Sequence, residues 1–447
     1  MKNNNREQWG SKIGFILAAA GSAVGLGNIW RFSYVAGNEG GAAFLFIYLI
    51  AIALIGYPLL TTEVAMGRFT QKNPVGVFKA IAPGTPWWLT GSLAVLTAFI
   101  ILSFYSVISG WSLAYTYKAL QGFTPDTDFA GMFVAHISNL WSPILWHGLF
   151  MIITLGIIAA GVVEGIQKVS KVLMPILFFL LLGLVFRGVT LDGGSAGISF
   201  YLAPDFSKVD AGTILAAVGQ AFFSLSLGMG ALITYGSYLS KNENITDSSA
   251  WITSLDTLIA VLAGLAIFPA VFALGFAPDS GPGLAFITLP AVFANMTGGT
   301  IFGFAFFLLL SIAAITSALS LLEVVVSWVI DEKGWSRKKA SLIFGVMIFF
   351  VGLPSTLGYS ILSNINFLGM DILDTLDFIT SSIFLPIGGI LTSLFAAYVW
   401  RSKYVIEDIN TPKGKIVFGN WYGILIGIFI PIAVFIVMIS GLYQKFN

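Results

Sequence analysis

The chain has no cysteine and only two histidines among 447 residues. That excludes disulfide staples, thiolate metal centres and cysteine nucleophiles. The two histidines, His136 and His147, have no neighbouring His, Asp or Glu at metal-ligand spacing, so neither reads as a ligand. No G-x-x-x-x-G-K-[ST] loop is present to cradle nucleotide phosphates, and no nucleophile, base and orienting group stand together. These absences leave an enzyme reading without support, and any uphill transport would have to draw on an ion gradient. Charge is scarce too: 22 Lys and Arg against 21 Asp and Glu make 10% of the chain and a net +1. An ordinary soluble protein carries about a quarter charged residues, and a balance this neutral gives nucleic acid no handle. What the chain has instead is 57% hydrophobic residues and a mean hydropathy of +0.91. The expected class is an all-α polytopic membrane protein.

Eleven runs are long enough to cross about 30 Å of hydrocarbon: 12–36, 41–69, 88–120, 144–162, 166–187, 212–239, 249–276, 300–331, 337–356, 372–399 and 420–443. The polar start, residues 1–11, has no short apolar stretch followed by a small-residue cleavage site, so the first run is expected to be retained and the N-terminus to be cytoplasmic. With that orientation, of the 22 Lys and Arg only Lys118, Arg187, Lys208 and Lys445 fall outside and Arg31 lies within a span, leaving 17 on the inner side. Such a bias supports both the span count and a multi-pass placement in the cell membrane. Loops 121–143 and 188–211 are expected to cover an outer vestibule, and Leu284 to Met296, entered through Gly281-Pro282-Gly283, to fold back as a short outer helix. Trp87, Trp88, Trp141 and Trp146 read as interfacial anchors.

Two spans are poor lipid-facing helices. Span 1 carries Gly21-Ser-Ala-Val-Gly-Leu-Gly-Asn-Ile-Trp-Arg31 at its middle, and span 6 carries Gln220-Ala-Phe-Phe-Ser224-Leu-Ser226-Leu-Gly228-Met-Gly230. Gly21 and Gly25 alone would suit a helix-packing seam, but packing needs neither Asn28 nor Arg31. In hydrocarbon a helix break persists only where its freed amides and carbonyls are buried in protein or line a polar cavity. Interrupted helices five spans apart point to a 5+5 inverted repeat around a midplane site. The repeats are placed at 12–187 and 212–399, separated by the outer loop 188–211. A cytoplasmic loop at 400–419 leads to an appended eleventh helix and an extracellular C-terminus at 420–447.

Ionisable residues inside spans face a cavity or a partner; here they are Arg31, Glu63, Asp256, Glu323 and Asp377. Glu63 in span 2 is placed to cap the freed amides of a broken neighbour. Sodium takes hard oxygen donors. Carbonyls of Gly21, Ala23 and Val24, the Asn28 amide and the side chains of Ser224, Asp256, Thr316 and Ser317 can supply them, although a lone Thr-Ser pair more often bonds back to its own helix.

Five segments together resemble the signatures of the neurotransmitter:sodium symporter family, in order and across nearly the whole chain: Gly21 to Phe32, Glu63-Val-Ala-Met-Gly-Arg68, Gly219 to Gly228, Ile233-Thr-Tyr-Gly-Ser-Tyr238 and Thr288-Leu-Pro-Ala291. The resemblance implies one sodium site from Ala23, Asn28, Ser224, Asp256 and the substrate carboxylate, and a second from Gly21, Val24, Ala313, Thr316 and Ser317. It implies a substrate site in which the Leu26 and Gly27 amides and the Tyr105 hydroxyl meet the carboxylate, while carbonyls near Ala23, Phe223 and Ser226 meet the ammonium. Ile101, Tyr105, Phe223, Met229, Ala318 and Leu321 would surround the side chain. Phe223 and Tyr105 would form a lid below an outer gate of Arg31 and Asp377. Arg6, Trp9, Ser237, Tyr238 and Asp331 would form the inner gate, and Gly165 and Pro175 would let span 5 unwind.

Two departures bear on ions. Asp256 stands where many members have asparagine, and Ala260, one turn on, replaces the serine of chloride-dependent members or the glutamate of some bacterial ones. Chloride is therefore not expected to be required. Gly25 occupies the position of the aspartate that pairs with monoamines, so the substrate should bring its own carboxylate. The expected function is sodium-coupled symport of bulky hydrophobic L-amino acids, with the lipid bilayer and the amino acid as partners and no obligatory protein partner. A proton-coupled amino acid permease on the same core is the alternative, and an ion channel, lacking a repeated carbonyl filter, is a third reading.

Overall fold

The computed structural model describes residues 6–277 and 283–446. Among them there is no β-strand. Nine helices are long and apolar enough to cross a membrane: Ala42–Thr70, Trp88–Gln121, Ser142–Ala159, Val162–Val189, Ile245–Ala273, Gly299–Lys333, Arg337–Leu357, Ile372–Val399 and Trp421–Lys445. A tenth span is the pair Lys12–Ala23 and Gly27–Asn38, bent by 55° at its break. Span 6 is divided more deeply, into Ala211–Ser224 and Ala231–Gly236, each too short to cross alone. The eleven expected spans are thus accounted for, and the two expected to break are the two that break.

The cause of the second break is local. Gly228 and Gly230 have φ of 82° and 76°, a left-handed conformation that glycine adopts without steric cost. Ser226 has φ 55°, unusual for a residue with a side chain. A helix cannot run through three such residues, and the freed Gly228 amide donates to Glu63 Oε1 at 2.8 Å. Glu63 therefore caps a freed amide of a broken neighbour, as its place in span 2 suggested, and the neighbour is span 6.

Burial sorts the spans. In spans 3 and 8, 72% and 83% of the apolar stretch is buried inside the protein, against 28% in spans 5 and 11. The two long helices make the central pillars, and spans 5 and 11 turn most of their surface outward, toward lipid. The outer loops carry helices Phe129–Ile137 and Gly194–Leu202, capped by Asp128 and by a glycine turn respectively. Leu284–Ala294 is a short apolar helix, as expected; Gly281 and Pro282 of its entrance lie outside the described residues. His147 is buried in span 4 with Nε2 2.9 Å from Ser106 Oγ, a packing role.

Candidate ion and substrate site

The break in span 1 faces the break in span 6, and polar side chains from spans 2, 7 and 8 close around both. Asn28 Nδ2 donates to Asp256 Oδ1 at 2.7 Å and to Ser224 Oγ at 2.8 Å, and Ser224 Oγ donates to Asp256 Oδ2 at 2.8 Å. Tyr48 Oη reaches Ser224 Oγ at 3.2 Å. All four side chains are buried. An ionised carboxylate at this depth is tolerable only when several donors or a cation meet it. The structure brings Asn28, Ser224 and Asp256 together, with Ala23 on the adjoining cavity wall. Tyr48 is an addition; its hydroxyl sits in an apolar run of span 2 that gave no polar signal.

A second oxygen cluster lies where span 1 meets span 8. Ser317 Oγ is 3.1 Å from the Ser22 carbonyl, 3.2 Å from that of Val24 and 3.5 Å from that of Gly21. Thr316 Oγ1 is 3.0 Å from the Ala313 carbonyl and 3.5 Å from that of Val24. All five residues of the expected second set thus converge. The Thr-Ser pair does bond back to its own helix through Thr316, yet Ser317 reaches across to span 1, which back-bonding alone would not require.

Between the clusters lies a cavity of about 40 Å³ lined by Ser22, Ala23, Gly25, Gly27, Ile101, Tyr105, Phe223, Ser224, Ser226, Met229, Ser317, Ser320 and Leu321. The Leu26 amide, at the start of the second half of span 1, donates to Tyr105 Oη at 3.2 Å. Helix N-termini of this kind attract anions. A Cβ on Gly25 would stand 2.5 Å from Ser317 Oγ and 2.9 Å from Tyr105 Oη, so the close approach of three helices requires glycine there. Leu26 meets the site through its amide and does not line the cavity, and of the residues expected around the substrate side chain one is not on this wall. Ala318 is fully buried away from the cavity, and the lining positions of span 8 are Ser317, Ser320 and Leu321. At 3.6 residues per turn, position 318 points about 100° from 317, whereas 320 and 321 return to its face. Ser22 and Ser320 are lining residues that the resemblance did not supply. Helical periodicity counted from Ser317 would have found Ser320.

The two gates differ. On the inner side Arg6 pairs with Asp331 at 2.5 Å, donates to Ser237 Oγ at 2.7 and 3.0 Å, and lies 4.8 Å from the Tyr238 ring centroid. Trp9 Nε1 donates to the Tyr235 carbonyl at 2.9 Å. Behind them Tyr238 Oη donates to Glu323 Oε1 at 2.5 Å, and Arg337 forks onto both Glu323 oxygens at 2.7 and 3.0 Å. The buried Glu323 is thus explained, with Arg337 as the partner that sequence distance concealed. On the outer side no ion pair of 4.0 Å or less joins Arg31 to Asp377 among the described residues. Arg31 lies 4.3 Å from the Phe223 ring centroid and Asp377 accepts from Ser381 Oγ at 2.8 Å. A cavity of about 580 Å³ beside them, lined by Arg31, Asn38, Asp210, Phe223 and Ser381 among others, leads down to Phe223. The side that carries the N-terminal segment is closed, and on the opposite side Phe223 separates the larger cavity from the substrate cavity.

Span 5 begins in a π-helical turn, Val162–Gln167, that contains Gly165, and Pro175 lies inside the following helix. The N-terminal segment holds this turn: the Val162 amide donates to Glu7 Oε2 and the Gly10 amide to Gln167 Oε1, each at 2.8 Å. Glu7 also pairs with Arg337 at 3.1 Å. Neither Glu7 nor Gln167 was marked by the sequence, where both look like solvated polar residues.

Comparison with known proteins agrees with this geometry. The model of the sodium:neurotransmitter symporter family matches residues 6–139 and 141–446. The uncharacterized sodium-dependent transporter YhdH of Bacillus subtilis is 42% identical over 445 residues, covering 98% of each chain. An uncharacterized sodium-dependent transporter of Haemophilus influenzae is 34% identical, covering 99% of each. The crystal structure of MhsT in complex with L-phenylalanine is 46% identical with a TM-score of 0.90, covering 99% of this chain and 100% of that one. Eleven spans and the spacing of Gly165 to Pro175 in span 5 suggest likeness to MhsT, the bacterial multihydrophobic amino acid transporter, and this match agrees with that. The chain is a multi-pass membrane protein that belongs to the sodium:neurotransmitter symporter family.

Proposed function

We propose that this sodium-coupled transporter carries bulky neutral L-amino acids, aromatic and branched aliphatic, with two sodium ions, by alternating access from an outer to a cytoplasmic side on which its N-terminus lies. The observation that carries the reading is the cavity between the two oxygen clusters. It offers a helix N-terminus and a tyrosine hydroxyl at one side and Ile101, Phe223, Met229 and Leu321 at the other. An amino acid carboxylate suits the first, and no charged side chain lines the second to pair with a charged substrate side chain. Met229 has flexible torsions and a polarizable sulfur that refit around different shapes. The protons of Asn28, Thr316 and Ser317 that hold the oxygen clusters together are ones a cation would replace, the Asn28 amide turning its oxygen inward. The fixed charge of Asp256 supports transport without chloride.

The experiment is competition for sodium-dependent uptake by purified protein in liposomes. Leucine, phenylalanine and tryptophan should compete, whereas glutamate, lysine and tryptamine should compete at least about tenfold less well, because each leaves a charge or an amide unmatched. Replacing chloride by gluconate should leave the rate unchanged. Strong inhibition by tryptamine would contradict the carboxylate argument, and loss of uptake in gluconate would contradict the role of Asp256.

A further inference from the structure

Serine hydroxyls line the substrate cavity from three helices, and their hydrogen bonds are unequal. Ser226 Oγ donates to the Ser22 carbonyl at 3.1 Å and Ser320 Oγ donates to the Ser317 carbonyl at 2.8 Å. Each hydroxyl has one proton, so these two have committed theirs to the backbone and keep lone pairs as acceptors. Ser317 is set aside, because its oxygen belongs to the second cluster. Ser22 differs from all of them: its residue is 1% exposed, it lines the cavity, and its Oγ has no hydrogen-bond partner. A buried hydroxyl left unpaired carries a free-energy penalty comparable to a lost hydrogen bond. A ligand group that meets it recovers that penalty.

We propose that Ser22, with Ser226 and Ser320 beside it, is a specificity-determining patch that favours apolar amino acid side chains bearing one hydrogen-bond donor on the ring edge, tryptophan above all. This rests on the amino acid reading above and narrows it. A wholly apolar wall would treat an indole and its sulfur isostere alike. A wall of acceptors with one uncommitted hydroxyl discriminates for the N–H, because the site's polar groups stay unpaired with the isostere. The cavity of about 40 Å³ must widen to admit an indole, and the lid Phe223 with the unwound stretch around Ser226, Gly228 and Gly230 is the part of its wall able to move.

The test is sodium-dependent binding to the full-length purified protein of L-tryptophan against L-3-benzothienylalanine, which has the same shape with sulfur in place of the indole N–H. Leucine and phenylalanine serve as controls. The wild type should prefer tryptophan by roughly three- to tenfold, the value of one neutral hydrogen bond. In Ser22→Ala the preference should fall toward one, because tryptophan and its isostere then meet the same wall. The analogue pair in the wild type keeps the test decisive should the variant fail to fold, and Ser22→Gly provides a second variant. Equal affinities in the wild type, or a preference unchanged in both variants, would overturn the proposal. Failure of the controls as well, with no sodium-dependent binding of leucine or phenylalanine, would instead overturn the amino acid reading on which it rests.

Discussion

Asp256 is the residue on which the proposed ion chemistry turns. It is buried, and its two oxygens are met by Asn28 and Ser224. On the proposed reading the Asn28 amide oxygen turns to the ion, and a polar contact to a charged group contributes about 1.5–3 kcal/mol, so removing the amide should weaken sodium binding by roughly ten- to a hundredfold. If the substrate carboxylate shares the shell, linkage requires amino acid affinity to fall by the same factor. Isothermal titration of Asn28→Ala with sodium and with leucine checks this, and a variant that loses one affinity without the other would separate the sites. A second residue-scale test concerns the outer loop. Burial, with Lys118 nearby, lowers the pKa of His136 from 6.5 to about 4. When the helix that carries His136 undocks, the ring takes up a proton more readily. The stabilisation of roughly 1–3 kcal/mol is therefore full above pH 6.5 and lost progressively as pH falls toward 4. Hydrogen exchange of Phe129–Ile137 should accelerate between pH 7 and 5 beyond the chemical rate, and His136→Gln should remove that excess. At this scale the sequence was legible wherever a polar residue interrupted an apolar run, as with Asn28, Glu63 and Asp256. It was illegible for Tyr48 and Ser22, hydroxyl residues that membrane helices also carry for ordinary packing, whereas Ser320 follows from Ser317 by helical periodicity.

Among the elements, the two broken spans were readable because glycines and polar residues interrupt their apolar runs: in span 6 Ser226, Gly228 and Gly230 turn positive in φ, whereas in span 1 Gly25 is needed for close approach to Ser317 and Tyr105. Span 5 was readable in part. Its Gly165 and Pro175 were visible, but the latch from Glu7 to the Val162 amide joins residues 155 apart and has no local pattern. The structure also changes which substitution tests span 5. A Cβ on Gly165 would run into the Ile157 carbonyl, so Gly165→Ala would force spans 4 and 5 apart instead of simply stiffening the helix. Pro175→Ala is the cleaner change. It restores a backbone donor and removes the ring clash, worth up to about 3 kcal/mol of helix stability. Cytoplasmic release of sodium should slow several-fold, measured by stopped-flow dilution of loaded protein, with sodium affinity unchanged. An unchanged release rate would show that span 5 does not open on this path.

As a whole molecule, the protein presents a closed side at the N-terminal segment and, on the opposite side, a cavity that stops at Phe223. Arg6, Asp331, Ser237, Tyr238, Glu323, Arg337 and Glu7 knit the N-terminal segment to spans 5, 6, 8 and 9. Arg31 and Asp377 stand apart above Phe223. Breaking the inner network and pairing the outer residues would exchange the two sides around a fixed site, as alternating access requires. The eleven spans and their pairing were legible from hydropathy and the distribution of Lys and Arg, since the bilayer leaves few alternatives. Which gate is closed was not, because the same residues serve both states. On the proposed mechanism sodium, bound by the two oxygen clusters, drives uptake of an amino acid that binds between them. Accumulation of radiolabelled leucine in liposomes under imposed gradients distinguishes this from proton coupling. An inward sodium gradient at equal pH should drive accumulation above equilibrium, and an inward proton gradient without sodium should drive none; accumulation driven by protons alone would contradict the account.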